Sequence, residues 1–157
     1  MMATNNDAAA IADRSIVTTR VLDAPRELVF AAWTDPAHIG EWWGPDGFTT
    51  TTHEMDVRAG GAWRFIMHGP DGVDYPNLIV FTEIVPPERL AYDHSDGDGG
   101  NMFRSTVTFD DEGGKTRVTL RGTFATAAER DRVVAEHGAI EGAIQTLGRL
   151  AAYLAKA

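Results

Sequence analysis

The 157-residue chain carries a net charge of -9, with 43% hydrophobic and 24% charged residues and no cysteine. That charge argues against non-specific nucleic-acid binding, which needs cationic side chains to displace counterions. The lack of cysteine excludes a disulfide framework, a thiol nucleophile and a cysteine zinc site, and it fits a cytoplasmic protein.

Residues 1–13 lack the basic and apolar regions of a signal peptide and read as a loose polar tail before a single domain over 14–157. No apolar run approaches the ~18 residues of a membrane span. From Ser15 to Asp23 the β-branched residues Ile16, Val17, Thr18, Thr19 and Val21 predict a first strand. Asp23-Ala24-Pro25 then sets up a helix over 25–33, with Asp23 as its cap and an apolar face of Leu28, Val29, Ala32 and Trp33. Thr34-Asp35-Pro36 ends it and caps a second short helix over 36–43, which runs into Trp42-Trp43-Gly44-Pro45.

Residues 48–124 carry strand and turn signals. Trp63, Phe65 and Met67 alternate with Arg64, Ile66 and His68, the period-two pattern of a half-buried strand, with Arg64 on the outer side. Gly69-Pro70-Asp71-Gly72 has hairpin chemistry. Leu90, Tyr92 and His94 alternate next, then Phe103, Ser105, Val107 and Phe109, then Val118, Leu120 and Phe124. About seven strands result, mostly in consecutive meanders.

Thr126-x-x-Glu129 is a capping box that opens one long helix over 126–155. Its apolar stripe contains Val133, His137, Ile140, Ala143, Ile144, Leu147, Leu150, Ala151 and Leu154. Gly138, Gly142 and Gly148 each cost about 1 kcal/mol relative to alanine inside a helix. Such glycines suit close approach to a sheet or space left open. The expected class is α+β: a curved antiparallel sheet wrapped around a long C-terminal helix.

Five ordered motifs carry a resemblance. They are Ala24-Pro25-x-x-x-Val29-Phe30-x-x-Trp33-Thr34-Asp35-Pro36, Trp42-Trp43-Gly44-Pro45, Gly60-Gly61-x-Trp63-Arg64-Phe65, Met67-His68-Gly69-Pro70-Asp71-Gly72 and Pro86-Pro87-Glu88-Arg89-Leu90. Through them the chain resembles the activator of heat-shock protein 90 ATPase homologue-like family, within the SRPBCC and START-like superfamily. The resemblance implies the helix-grip fold over about residues 15–155. It implies the fold more firmly than a function. The eukaryotic co-chaperone of that family carries an additional N-terminal domain for which this chain has no room, so ATPase stimulation is not expected.

A lone helix across a curved sheet leaves a cavity, and large aromatics with a few polar groups suit an apolar or amphipathic small molecule. The candidate lining is Trp42, Trp43, Trp63, Phe65, Met67, Tyr75, Tyr92, His94, Phe103, Val107, His137, Ile140, Ala143, Ile144 and Leu147. Two adjacent tryptophans on a short helix cannot both point inward, so one of Trp42 and Trp43 is expected at an opening. The histidines show no metal-ligand spacing, and Asp93, Asp96 and Asp98 lack the calcium-loop pattern. No catalytic residues, metal or cofactor are assigned. The leading expectation is a non-enzymatic, monomeric or homodimeric carrier of a hydrophobic small molecule. An enzyme acting on a hydrophobic or aromatic substrate, cyclase- or hydrolase-like, is the second reading. A stress-related co-chaperone module with a chaperone or other protein as partner is the third.

Overall fold

The computed structural model describes residues 11–97, 100 and 102–156. Residues 11–13 form a helical turn, closed by the Ser15 hydroxyl donating to Ile11 O. The elements that follow are β1 (Ser15–Leu22), α1 (Arg26–Thr34), α2 (Pro36–Ile39), β2 (Thr49–Met55), β3 (Ala62–His68), β4 (Asp74–Val85) and β5 (Arg89–Ser95). They continue with β6 (Phe103–Glu112), β7 (Lys115–Thr123), α3 (Ala127–His137) and α4 (Ala139–Ala155). The strands make one seven-stranded sheet in the order β1-β7-β6-β5-β4-β3-β2, antiparallel at every pairing.

The strands β2 to β7 follow one another as a meander, and β1 joins the free edge of β7. The chain therefore passes from one sheet edge to the other between β1 and β2, and α1 and α2 lie on that path. Asp35 caps α2 through Ala37 N–H at 2.8 Å. The expected Asp23 cap of α1 is not made: Pro25 stands at the N-cap position, without a side-chain cap bond. Val29, Phe30, Ala32 and Trp33 of α1 are buried, whereas Leu28 is exposed.

Alternation assigns the two faces of the sheet as expected. Trp63, Phe65, Tyr92, Val107, Phe109 and Val118 are buried on the concave face. The opposite face is polar. There Arg64 pairs with Glu54 at 2.9 Å and Arg104 with Asp93 at 3.1 Å. Aromatic rings fill the middle of the concave side edge to face, an arrangement their quadrupoles favour. Trp33 meets Trp42, Trp43 and Phe109 at ring separations of 4.9, 5.9 and 5.8 Å, and Trp43 meets Trp63 at 5.2 Å.

The single C-terminal helix expected over 126–155 is two helices. Gly138 adopts φ 58°, ψ 42°, the left-handed conformation that ends an α-helix, and donates to Val134 O. It then accepts from Gly142 N at 2.8 Å to start α4. The glycine therefore serves a break, not close packing. In α3, Thr126 accepts from Glu129 N at 3.0 Å, half of the expected capping box, while the Glu129 carboxylate is taken up by Arg132. α3 contributes no buried residue, whereas α4 buries Thr146, Leu147 and Leu150 against the sheet.

Candidate functional site

A half-open cavity of about 210 Å³ lies between the concave face and the first half of α4. Its floor follows from strand register. Ile16 pairs with Gly122, Gly122 with Ser105, and Ser105 with Tyr92, so these four residues form one row across β1, β7, β6 and β5. The neighbouring row, Thr18–Leu120–Val107–Leu90, holds larger side chains at its centre. At the centre of the first row stand a glycine and a serine. The sheet is hollow there because these two inward positions carry almost no side-chain volume.

The walls come from both sides. Phe103 and Phe124 close one end, with rings 4.9 Å apart, and Met67 and Trp43 stand at the other. The roof is Ala139, Gly142, Ala143 and Thr146 of α4, with Gly44 and Pro45 beside it. A Cβ placed on Gly142 would lie 3.8 Å from Pro45 Cγ, so helix and loop are already in contact range. The Thr146 hydroxyl is satisfied by Gly142 O at 2.8 Å and adds little polarity.

The Trp43–Asp46 loop is tied to α4 by two side chains one helical turn apart. Arg149 Nη1 donates to Gly44 O and Pro45 O, each at 2.9 Å, and reaches Trp43 O at 3.4 Å. Gln145 Oε1 accepts from Asp46 N at 3.1 Å. Gly44 has φ 106°, open to glycine and strained for other residues, and this lets the chain turn its carbonyls toward the guanidinium.

His94 is the titratable group with most to offer in the lining. Its Nε2 lies 2.8 Å from Asn77 Oδ1. The Asn77 amide nitrogen donates to Tyr75 O at 2.9 Å, which fixes the orientation of the amide. The oxygen of Asn77 is therefore an acceptor, Nε2 carries the proton, and Nδ1 carries a lone pair. Rings surround the imidazole, with Phe103 at 4.9 Å, Phe65 at 6.0 Å and Trp43 at 6.5 Å. This apolar burial pushes the His94 pKa down to about 4, so the ring is neutral at physiological pH. Burial likewise pushes the Tyr92 hydroxyl up, opposed in part by its hydrogen bond with the Ser105 side chain.

Of the residues expected at the cavity, Trp43, Met67, Tyr92, His94, Phe103 and Ala143 line it. Trp42, Trp63, Phe65, Val107 and Leu147 are buried in the packed core beyond it. Trp42 donates its indole N–H to Ala32 O at 3.0 Å, and Trp63 stacks on Phe65 at 3.9 Å. Both adjacent tryptophans are buried, contrary to the expectation that only one points inward, and Trp43 is the one that reaches the half-open cavity. Tyr75, His137, Ile140 and Ile144 do not reach the cavity. Tyr75 packs on Phe48 at the start of β4, and His137 is exposed at the end of α3. Ile140 and Ile144 are 38% and 46% exposed, because the buried face of α4 is made by Thr146, Leu147 and Leu150. Sequence reasoning did not assign Ile16, Thr18, Gly44, Pro45, Ser105, Leu120, Gly122, Phe124, Ala139 and Thr146 to the lining, whereas Gly142, expected to matter to the pocket as a helix glycine, does line it. For those in the strands and on the helix, the signal was inward phase combined with small size or mild polarity.

The remaining histidines do not converge. His68 bonds Thr51 and Asp74 on the exposed rim, and His38 Nδ1 lies 2.5 Å from the Tyr153 hydroxyl. Among the described residues no group of three or more histidine, cysteine, aspartate or glutamate side chains is placed to hold a metal ion. Asp98 of the acidic loop lies outside the described residues. No described helix is long and apolar enough to cross a membrane.

Comparison with solved structures places this geometry among relatives. A crystal structure of a protein from Mycobacterium smegmatis is 27% identical, with 92% of each chain covered and a TM-score of 0.81. A solution structure of a protein from Arthrobacter aurescens is 27% identical over 94% of this chain and 89% of the other, with a TM-score of 0.84. The AHSA1 protein from Silicibacter pomeroyi shares the fold at 24% identity and a TM-score of 0.71, with 90% of this chain and 97% of the other covered. No curated protein matches the chain significantly. The sequence model of the activator of Hsp90 ATPase homolog 1-like proteins matches residues 23–155. The chain belongs to that family and carries its α+β helix-grip, SRPBCC-type fold.

Proposed function

We propose that this protein binds a small hydrophobic or amphipathic molecule in the cavity between the sheet and α4, without transforming it, in the cytoplasm. One observation carries the reading: the cavity of about 210 Å³ is bounded by apolar side chains around a neutral imidazole. An engineered apolar cavity of about 150 Å³ takes up benzene, so the space here suits a compound of one or two rings. Sites for small molecules are characteristically apolar hollows with a few placed polar groups. The Arg149 and Gln145 ties hold the loop over the roof in a defined position, so that part of the site is formed before a ligand arrives.

Native mass spectrometry of the protein purified from its own host tests the reading. A retained small molecule, released on unfolding and absent from a Gly122→Leu variant of unchanged fold, is the expected result. An empty protein that also fails to take up any added one- or two-ring aromatic would overturn it.

A further inference from the structure

The sheet register makes the hollow, and one atom in it has unused bonding capacity. His94 Nε2 is committed to Asn77 Oδ1 at 2.8 Å. Nδ1 has no hydrogen-bond partner among the described residues, and of their unpartnered side-chain nitrogens and oxygens Arg130 Nε alone is sealed from solvent, so Nδ1 is not. An atom without a partner that is not sealed off must be open, and the open space beside His94 is the cavity it lines. The lone pair of Nδ1 is thus an acceptor presented to whatever occupies the hollow.

The rest of the lining sharpens the chemistry. It contains no lysine, arginine, aspartate or glutamate side chain. A ligand carboxylate or ammonium would enter without a counter-charge and lose its hydration, a cost that a cavity of this kind does not return. The Ser105 hydroxyl is engaged with Tyr92, and Thr146 with Gly142 O. Hydroxyl oxygens that donate keep lone pairs but are weaker acceptors than an imidazole nitrogen, so the Nδ1 lone pair, which has no other partner, is the strongest acceptor on the sheet side.

Resting on the binding function proposed above, we infer that the cavity selects uncharged one- or two-ring compounds bearing a hydrogen-bond donor, of the phenol type, whose O–H donates to His94 Nδ1. The ring fills the space over Gly122 and Ser105 and packs against Trp43 and Phe103. An acceptor-only or donor-free analogue of the same shape leaves the lone pair dry and unpaired, which is where the discrimination comes from.

The test is calorimetric titration at pH 7 with 2-naphthol and with 2-fluoronaphthalene, which is close in size and cannot donate. The wild type should bind 2-naphthol about tenfold more tightly, the worth of one such hydrogen bond. In His94→Phe, checked for fold by circular dichroism, the two affinities should fall within about twofold of each other. A second readout does not depend on the variant: the nitrogen-15 resonance of Nδ1 in the wild type should move upfield with 2-naphthol and not with 2-fluoronaphthalene. Equal affinities for the two compounds in the wild type, or an unmoved Nδ1 signal on saturation with 2-naphthol, would overturn the selection while leaving cavity binding intact. Failure of both compounds to bind would overturn the binding function and the selection together.

Discussion

His94 Nε2 donates to Asn77 Oδ1 across β4 and β5 at 2.8 Å, and that bond sets the chemistry of the cavity floor. It holds the ring in one tautomer with its other nitrogen free. The aromatic shell around it keeps the ring uncharged.

The same burial gives a pH dependence. The folded-state pKa of His94 is depressed to about 4, below the ordinary value of 6.5 that the unfolded chain shows. The unfolded state therefore binds the proton first as pH falls. The stability from keeping His94 neutral is present in full above pH 6.5 and is lost between pH 6.5 and pH 4. Urea unfolding should show the wild type losing roughly 2 kcal/mol more than His94→Phe between pH 7 and pH 5. Parallel losses in the two proteins would contradict the assignment.

A second expectation concerns the hollow itself. A Cβ on Gly122 would sit 3.5 Å from the Phe103 ring, ordinary contact, and its backbone is not left-handed. Gly122→Val should thus fold, place its methyl groups in the cavity and weaken uptake of 2-naphthol about tenfold or more, with thermal stability unchanged or raised. Gly142→Leu acts from the roof, where its Cβ would lie 3.8 Å from Pro45 Cγ and the rest of the leucine side chain would press on that loop; such overpacking should cost about 1–3 kcal/mol. Undiminished ligand binding in a folded Gly122→Val protein would place the site elsewhere.

Much of this was legible in the sequence, and the part that was not has a physical reason. Period-two alternation placed Trp63, Phe65, Tyr92 and Val107 on the concave face, all of them buried. It could not separate core from cavity on that face, because the hollow arises from a row that crosses four strands through Gly122 and Ser105. Register between distant strands is a tertiary property. The helix stripe named Ala143, which lines the cavity, but also Ile140 and Ile144, which are exposed. The buried face of α4 runs through Thr146, Leu147 and Leu150, and Ile144 stands at its far edge while Ile140 sits in the first turn, which the sheet does not cover. Only Val133 and His137 were joined to the stripe by counting through the left-handed Gly138.

The two adjacent tryptophans should report differently. Trp43 lines the cavity and Trp42 lies in the core, although their rings are 5.6 Å apart. Quenching of tryptophan emission by a bound nitroaromatic should fall markedly in Trp43→Phe and persist in Trp42→Phe. Trp42→Phe should instead destabilise the protein by about 1–3 kcal/mol, because Ala32 O loses its buried donor. Equal loss of quenching in both variants would contradict the separation.

Arg149 ties the loop to the helix through carbonyl oxygens of Trp43, Gly44 and Pro45. Arg149→Met keeps the aliphatic stem and removes the donors. Amide hydrogen exchange should rise at Trp43, Gly44 and Asp46 and remain unchanged in β5 and β6, and the ligand off-rate should increase several-fold. Unaltered exchange in the loop would show that the guanidinium does not hold it.

The most direct test of cavity binding is a two-dimensional amide NMR titration with 2-naphthol. The account predicts saturable, single-site shifts concentrated at Gly122, Ser105, His94 and Ala143, with the exposed face at Ile140 and Ile144 little changed. Shifts that fail to saturate, or that cluster on that exposed face and spare the Gly122 row, would contradict it.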